Sequence, residues 1–261
     1  MKFIVPSLIC ILLFVTGCTT SQRQPPTARA PLTHVETTGE RPGIGTAWGE
    51  QRESCVEKAS FVRGWIDRPG GTGMLYYNDA EGVDAMLDFL GGEPKPRTGL
   101  YPTANELVSI GLRDKDGHWF AGHELKGKRF VTGITGERYA IVVKNETDRR
   151  LEIVLSVDGL DVLDGKAANY KKRGYIVEPD AELEVDGFRT SDSSVAAFRF
   201  GTVPESYANL KKRGTANVGV IGVAVFQERA GASPNEGQEA FRKVSQRPVP
   251  TNRTYAAPPE A

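Results

Sequence analysis

The chain has little cysteine, little histidine and no net charge, and each shortage excludes a class of protein. Its 261 residues include 3 Cys and 3 His, and 33 basic residues balance 33 acidic ones. A neutral chain has no global field that would attract it to nucleic acid. Three cysteines are too few for the dense disulfide framework of a small secreted domain. We therefore expect a protein without nucleic acid partners whose fold depends on its apolar core.

The histidines do not form a recognisable catalytic pattern. No G-x-S-x-G motif is present, so a nucleophile elbow is not indicated. His118 and His123 are five residues apart in a segment that reads as strand and turn, whereas the zincin motif needs two histidines four apart on a helix. A site of two histidines and one carboxylate, with Glu124 as the third ligand, stays open as the weaker alternative.

A run of three aspartates is the other candidate for metal chemistry. Asp158, Asp161 and Asp164 recur at intervals of three, but Asn169 stands where a calcium-binding EF-hand loop needs its final glutamate. The Asp-Gly steps in this run favour turns, with calcium at a loop as the weaker reading. We therefore predict no metal and no cofactor, we assign no catalytic residue, and we favour a binding protein over an enzyme.

The first eighteen residues carry a targeting signal. Lys2 is followed by an apolar run, residues 3–15, which is shorter than the ~20 residues that span a bilayer as a helix and suits the core of a signal peptide. The run ends in Val-Thr-Gly-Cys at residues 15–18, which resembles a bacterial lipobox. The alternative is an ordinary signal peptide with a chance cysteine.

The lipobox resemblance implies how the mature protein begins. Residues 1–17 would be removed as a signal peptide, and Cys18 would carry the lipid that anchors the chain in a membrane. Thr19 follows the cysteine, and by resemblance to enterobacterial sorting this favours the outer membrane. Cys10 lies within the signal, so Cys55 is the remaining cysteine and is expected to be a buried apolar side chain.

Two terminal segments contrast with the centre of the chain. Residues 18–42 and 229–261 are rich in proline, glycine, threonine and charge but poor in large apolar side chains. Such segments bury too little surface to offset the entropy lost on ordering. We therefore predict a flexible tether at 18–42, a single folded domain at 43–228 and a disordered tail at 229–261.

The central domain reads as mainly β. Short apolar runs separated by polar turns fill residues 138–227, and in residues 151–157 apolar and mixed positions alternate as on a half-buried strand. One helix interrupts the strands: Asn78 and Glu81 form a capping box, an apolar face follows at residues 83–90, and Gly91 ends it. The pattern predicts an antiparallel β-sandwich, jelly-roll-like, with one short helix.

This β block also resembles a family by sequence. The segments NETDRRLEIVLSVDGLDVLDGK, VAAFRFGTVPESYAN and NVGVIGVAVFQER are similar to the body of uncharacterised proteobacterial envelope proteins. The resemblance covers about residues 42–228. It implies a location in the cell envelope and carries no activity or site residue.

A seven-residue pattern occurs twice and supplies the candidate contact residues. Residues 168–174, here called the first basic loop, read Ala-Asn-Tyr-Lys-Lys-Arg-Gly, and residues 208–214, the second basic loop, read Ala-Asn-Leu-Lys-Lys-Arg-Gly. One interpretation is a pair of cationic surfaces for anionic envelope components. The favoured interpretation is that they are solvated loops that discourage edge pairing. The candidate residues are Lys171, Lys172, Arg173, Lys211, Lys212 and Arg213.

Together these features predict a lipid-anchored, non-catalytic binding or assembly component of the envelope. Its partner would be an envelope protein or a glycan, met by the loops within residues 158–174 and 207–217. The alternative is a carbohydrate-active enzyme or a carbohydrate-binding module. A row of exposed aromatic side chains, including Trp48, Trp65 or Trp119, would favour that alternative. A third option, a chaperone for a secretion system, predicts an open strand edge or groove.

Overall fold

The computed structural model describes residues 42–232, 237–244 and 254–260. Within them the chain forms seventeen strands and two helices. In chain order they are β1 (Ile44–Glu53), β2 (Val56–Phe61), β3 (Gly71–Asn78), α1 (Ala80–Leu90), β4 (Lys95–Pro96), β5 (Tyr101–Thr103), β6 (Val108–Arg113), β7 (Gly122–Leu125), β8 (Lys128–Thr132), β9 (Arg138–Asn145), β10 (Leu151–Val157), β11 (Leu160–Asp161), β12 (Tyr175–Val177), β13 (Glu182–Val185), β14 (Gly187–Arg189), β15 (Ser194–Thr202), α2 (Tyr207–Leu210), β16 (Val220–Gln227) and β17 (Gln238–Lys243).

The strands form two sheets that enclose one main core. The first sheet has seven strands in the order β1-β15-β9-β6-β5, with β13 beside β9 and β14 beside β15. The second has ten strands in the order β2-β17-β12-β10-β16-β3-β8-β7-β4, with β11 beside β10. Side chains from both sheets, such as Ile141, Phe198, Ile153 and Ile221, meet in a single buried cluster. The predicted mainly-β sandwich is confirmed, although β3–β8 and β12–β17 pair in parallel.

The second sheet buries both of its faces near β10. Ile153 and Leu155 point into the main core, as the alternating sequence pattern requires. Val154 points the other way and joins a second apolar cluster. That cluster forms because the sheet curls until the chain after β2 reaches the end of β16: Gly64 N donates to Gln227 O at 3.0 Å. Members of the second cluster are Phe61, Val154, Ile176, Ala224, Phe226 and Ala240.

Helix α1 forms where the sequence pattern predicts it, with a shifted cap. Asp79, and not Asn78, is the N-cap residue, and its carboxylate accepts a hydrogen bond from Gly82 N at 2.7 Å. Val83 and Leu87 are buried against the second sheet. The helix ends at Gly91, whose amide bonds back to the last turn. The four-residue α2 is a second helix that the sequence analysis does not predict.

The region after residue 228 differs from the prediction of a disordered tail. Strand β17 pairs with β2 over its whole length, and its residues Ala240 and Phe241 are buried. Further on, Ala256 N donates to Arg189 O at 2.9 Å and Ala256 is buried in the main core. For these stretches the prediction was wrong, because a few apolar residues in a polar segment gain their burial from distant partners.

The targeting prediction concerns a different part of the chain. Cys18, the signal at 1–17 and the tether up to residue 41 lie outside the described residues. Cys55 is described and is buried, as expected. Neither described helix has the length and apolar character needed to cross a bilayer.

Candidate functional site

The two basic loops approach one another at a tight turn after β10. Asp158 and Gly159 have φ angles of 54° and 80°, a left-handed pair in which glycine is the natural second residue. From the first basic loop, Ala168 N donates to Gly159 O at 3.0 Å. Asn217, which follows the second basic loop, packs its side chain against Gly159. A Cβ added to Gly159 would lie 2.8 Å from the Nδ2 atom of Asn217. The fold therefore brings the two candidate loops to the same end of the domain.

Asp158 fixes this turn from inside the protein. Its carboxylate accepts hydrogen bonds from Tyr77 OH at 2.6 Å, Thr46 N at 2.8 Å and Gly219 N at 2.9 Å. Burial raises the pKa of Asp158 to about 6, although these three donors oppose the shift. Because the side chain is buried and its oxygens face protein donors, we assign Asp158 a structural role.

A buried ion cluster lies beneath the first basic loop. Glu152 is fully buried on β10, with Arg63 Nε 2.8 Å and Arg173 Nε 3.0 Å from its oxygens. Gly174 N donates to the same carboxylate at 2.7 Å. Arg63 pairs through Nε and Nη2, the two-pronged geometry that makes arginine–carboxylate pairs strong. The cluster fastens the end of the loop to the sheet.

Arg63 also holds the backbone of the same loop. Its Nη1 donates to Tyr170 O at 2.6 Å and its Nη2 to Lys172 O at 2.5 Å. Nη1 lies 3.3 Å from Ile66 O as well, so the segment after β2 is held beside the loop. The guanidinium stacks 3.6 Å from the centre of the Phe226 ring. One buried arginine therefore positions two surface segments.

The three candidate cations of the first basic loop have different surroundings. Lys171 is exposed. Lys172 lies 2.7 Å from Asp164 and is only partly exposed. Arg173 belongs to the Glu152 cluster. Of the three, Lys171 is the one placed to contact another molecule without breaking an internal ion pair.

The second basic loop is built differently, since its first half is helix α2. Ser206 caps that helix by accepting a hydrogen bond from Asn209 N at 3.3 Å. Lys211 lies over the Tyr207 ring at 6.0 Å. Lys212 and Arg213 follow the helix and are exposed.

A groove at this end of the domain measures about 540 Å³ and lies on the outer face of the second sheet. Strands β3, β10 and β16 form its floor, and none of its lining residues is charged. The first basic loop closes one side, so Asn169 and Tyr170 line it, and Asn217, three residues after the second basic loop, lines it as well. Small floor residues keep the groove open: Ser156, Gly222 and Ala224.

Two exposed apolar side chains line this groove, and two more follow Arg63 in the chain. Tyr170 and Met74 line it, and Trp65 and Ile66 belong to the segment that Arg63 holds beside Tyr170. Clusters of exposed apolar surface of this kind mark interaction sites. Their exposed fractions are 73% for Trp65, 70% for Ile66, 57% for Met74 and 52% for Tyr170.

The other two tryptophans do not extend this aromatic surface. Trp48 packs against Phe188 and Tyr207, with ring centres 6.3 Å and 4.7 Å away. Trp119 lies under the guanidinium of Arg113 at 4.1 Å. None of the three tryptophans lines the groove, and Tyr170 is the one aromatic side chain in its described lining, so the row of tryptophans or tyrosines that would favour glycan stacking is not formed there.

The histidine candidates His118 and His123 do not line the groove. His118 Nδ1 lies 3.3 Å from Asp114, and with Asp116 they form a group whose potential ligand atoms are within 4.8 Å of one another. His123 and Glu124 do not belong to this group. Exposed acidic groups are common on protein surfaces, and we assign no metal to this one.

The carboxylates of Asp161 and Asp164 accept hydrogen bonds from backbone amides of their own turns. Asp161 Oδ1 accepts from Leu163 N at 3.0 Å and Asp164 N at 3.2 Å. Asp164 accepts from Lys166 N at 2.9 Å and pairs with Lys172. The geometry matches the turn-forming interpretation of this aspartate run.

Sequence reasoning missed the residues that build the groove's wall. The sequence analysis singles out neither Arg63 nor Glu152. The available signal was a charged residue at a position flanked by apolar ones, as Glu152 is between Leu151 and Ile153. A buried charge needs a partner, but the sequence does not say which of the chain's arginines supplies it.

Fold alone does not determine function, and similarity to known proteins adds nothing to it for this chain. No family model, no curated protein and no solved structure matches this chain. The functional argument therefore depends on the geometry of the groove and its loops.

Proposed function

We propose that this chain is a non-catalytic binding or assembly component of the bacterial cell envelope, anchored in the outer membrane through lipid on Cys18. The lipobox-like sequence at residues 15–18 supports the anchor. The observation that carries the binding role is the uncharged groove lined by the exposed side chains of Met74 and Tyr170. Trp65 and Ile66 are exposed on the segment that Arg63 holds beside Tyr170. The groove's lining offers apolar surface and amides rather than a pair of acid and base groups.

The favoured occupant is a segment of an envelope protein. Exposed large apolar side chains gain most from a partner that covers them, at ~25 cal/mol per Å² of apolar surface removed from water. Lys171 is exposed on the first basic loop, which lines the groove, and Lys212 and Arg213 are exposed on the second basic loop, shortly before the lining residue Asn217 in the chain. A partner segment with apolar anchors and neighbouring acidic residues would complement both features.

Site-specific photo-crosslinking in native envelopes tests this proposal. A photoreactive residue at Met74, inside the groove, is expected to give a discrete adduct with one envelope protein. The matched control is Phe89, which is 90% exposed on α1 and lies outside the groove. Equal adducts at both positions, or none at Met74, would argue against a protein partner in the groove.

A carbohydrate-binding role is the second candidate, favoured by the groove's polar rim. Asn169 and Asn217 offer both amide donors and carbonyl acceptors, and Tyr170 offers an exposed aromatic face. This arrangement suits a neutral sugar chain. Cosedimentation of the full chain with purified envelope glycan, reduced by Tyr170→Ala and unaffected by Phe89→Ala, would favour this candidate over a protein partner.

A further inference from the structure

The loop between β2 and β3 exposes two large apolar side chains next to each other. Trp65 and Ile66 are consecutive in the chain, with exposed fractions of 73% and 70%. Neither of them lines the groove, so a molecule bound in the groove does not by itself cover them. Adjacent exposed apolar side chains of this size indicate a contact surface. Residues 65–69 are here called the apolar loop.

The apolar loop is fastened at both of its ends to the same strand. Before the loop, Gly64 N donates to Gln227 O at 3.0 Å, and after it Gly70 N donates to Val225 O at 2.8 Å. The loop therefore leaves and returns at positions two residues apart on β16. Because its base is closed by backbone hydrogen bonds, less conformational entropy is lost when its side chains contact another molecule.

The first basic loop lies directly beside the apolar loop. One nitrogen of Arg63, Nη1, lies 3.3 Å from Ile66 O and 2.6 Å from Tyr170 O, so the two backbones share one buried donor. The exposed Lys171 follows Tyr170 in the chain, and the exposed Arg68 lies two residues after Ile66. Each of the two loops therefore carries an exposed cation within two residues of the place where they meet.

The charges of these two loops leave a positive surplus. Asp67 and Arg68 are both exposed in the apolar loop and balance one another, so Lys171 remains as the additional charge. Three carboxylates that lie nearby are paired within the protein: Glu152 with Arg63 and Arg173, Asp164 with Lys172, and Glu228 with Arg150. A surface of this charge is attracted to an anionic lipid layer.

Another strongly exposed aromatic side chain has the opposite surroundings. Phe89 is 90% exposed on α1. Three acidic residues lie on the same helix, which has no basic residue: Glu81, Asp84 and Asp88. Lys126 reaches the end of the helix, where its Nζ donates to Leu90 O at 2.7 Å, but the acidic groups still outnumber the cations. Charge therefore distinguishes the apolar loop from Phe89, although both are exposed.

We propose that the apolar loop docks on an anionic lipid surface, with Trp65 and Ile66 in the interfacial layer and Arg68 and Lys171 among the phosphate groups. Tryptophan is favoured in that layer because its ring is apolar and its single N–H can meet the polar side. Arginine and lysine lay their apolar stems along the same layer while their charged ends stay among the headgroups. The projecting pair thus matches a lipid layer in both polarity and charge.

The proposed anchor explains how so small a contact is sufficient. Two apolar side chains alone bind a membrane weakly and reversibly. Lipid on Cys18 would keep the domain close to the bilayer, since residues 18–41 span at most ~80 Å when fully extended. A second contact made by an already tethered domain benefits from a high effective concentration. This step alone rests on the proposed function.

Vesicles with brominated acyl chains test the contact, because bromine quenches an indole only at close range. The full chain on phosphatidylglycerol vesicles is expected to show quenching, and Trp65→Phe is expected to abolish it, since Trp48 and Trp119 pack against side chains of the domain. Ile66→Ser should remove most of the quenching, because the loop loses half of its apolar pair. Phe89→Ser is the matched control at an exposed apolar position and should leave the quenching unchanged.

Phosphatidylcholine vesicles with the same brominated chains test the charge. Quenching should be weaker with this neutral lipid, and Lys171→Gln should lower the phosphatidylglycerol signal towards the same level. Equal quenching by both lipids would overturn the anionic assignment. Quenching that survives Trp65→Phe, or that Ile66→Ser and Phe89→Ser reduce equally, would overturn the apolar loop as the contact.

Flotation of the same vesicles reports the anchor separately. A chain that floats with Trp65 unquenched overturns this inference and leaves the anchor, whereas quenching of a chain whose Cys18 carries no lipid by mass spectrometry supports the inference without the anchor. A chain that neither floats nor is quenched overturns both. A protein adduct from a photoreactive residue at Ile66, with Trp65 unquenched, would reassign the apolar loop to a protein partner.

Discussion

The two basic loops have nearly the same sequence and very different structures. Residues 168–174 and 208–214 differ only at their third position, where Tyr170 corresponds to Leu210. The first basic loop is held from below by Arg63 and Glu152. The second begins as helix α2 and leaves Lys212 and Arg213 exposed.

This contrast shows that the role of a lysine–lysine–arginine run depends on whether the fold places a buried carboxylate next to it. Arg173 is part of a buried cluster because Glu152 points outward from β10 at that place. Arg213 occupies the same position in the second pattern and is exposed. A charge that is internal to the fold stabilises it, whereas a charge at the surface is available for contact.

The largest expected effect follows from removing the carboxylate that distinguishes the first loop. Glu152→Gln should lower the free energy of unfolding by about 3–5 kcal/mol, because it leaves two arginines with a buried neutral amide. Denaturant unfolding measures this loss. Glu182→Gln is the matched control: Glu182 pairs with Arg113 at 3.2 Å at the surface, so its loss should cost less than about 1 kcal/mol.

Arg173 and Arg213, the sixth residues of the two seven-residue patterns, give the most direct contrast between the loops. Arg173→Ala should cost about 2–3 kcal/mol, since it removes an ion pair with Glu152 and a hydrogen bond to Phe61 O. Arg213→Ala should change stability by less than about 0.5 kcal/mol. Equal losses in denaturant unfolding would show that the two loops are fastened alike, contrary to the geometry.

The free energy of unfolding should depend on pH through Asp158, in the turn after β10. The folded Asp158 carboxyl has a pKa of about 6 against 3.8 for an ordinary aspartate, so between these values the folded state holds a proton that the unfolded state does not. Stability therefore falls as pH rises from about 4 to 6. Relative to Asp158→Asn, the natural sequence should gain about 2 kcal/mol from pH 7 to pH 4. A difference independent of pH would contradict the buried carboxyl described here.

Local patterns in the sequence predict much of this fold. Alternating apolar residues identify β10, and the apolar face at residues 83–90 identifies α1. The curl of the second sheet could not be predicted in this way, because it depends on Gly64 meeting Gln227. Strand β17 could not be predicted for the same reason, because it forms by pairing with the distant strand β2 and the local sequence around Phe241 does not indicate this.

The candidate site was predictable only in outline. The sequence locates the contact region at residues 158–174 and 207–217, and the groove is lined from both. It does not separate Lys171 at the surface from Arg173 in an ion cluster, because both belong to one basic run. That distinction comes from Arg63 and Glu152, which lie 89 residues apart.

The single position at which the two loops differ provides the most direct test of the binding groove. With a photoreactive residue at Met74, we would compare adduct formation in native envelopes for Tyr170→Ala and Leu210→Ala. Tyr170 lines the groove and Leu210 does not, so the account predicts a strong loss of adduct for Tyr170→Ala and the natural yield for Leu210→Ala. The same yield in both variants would contradict the groove as the binding site.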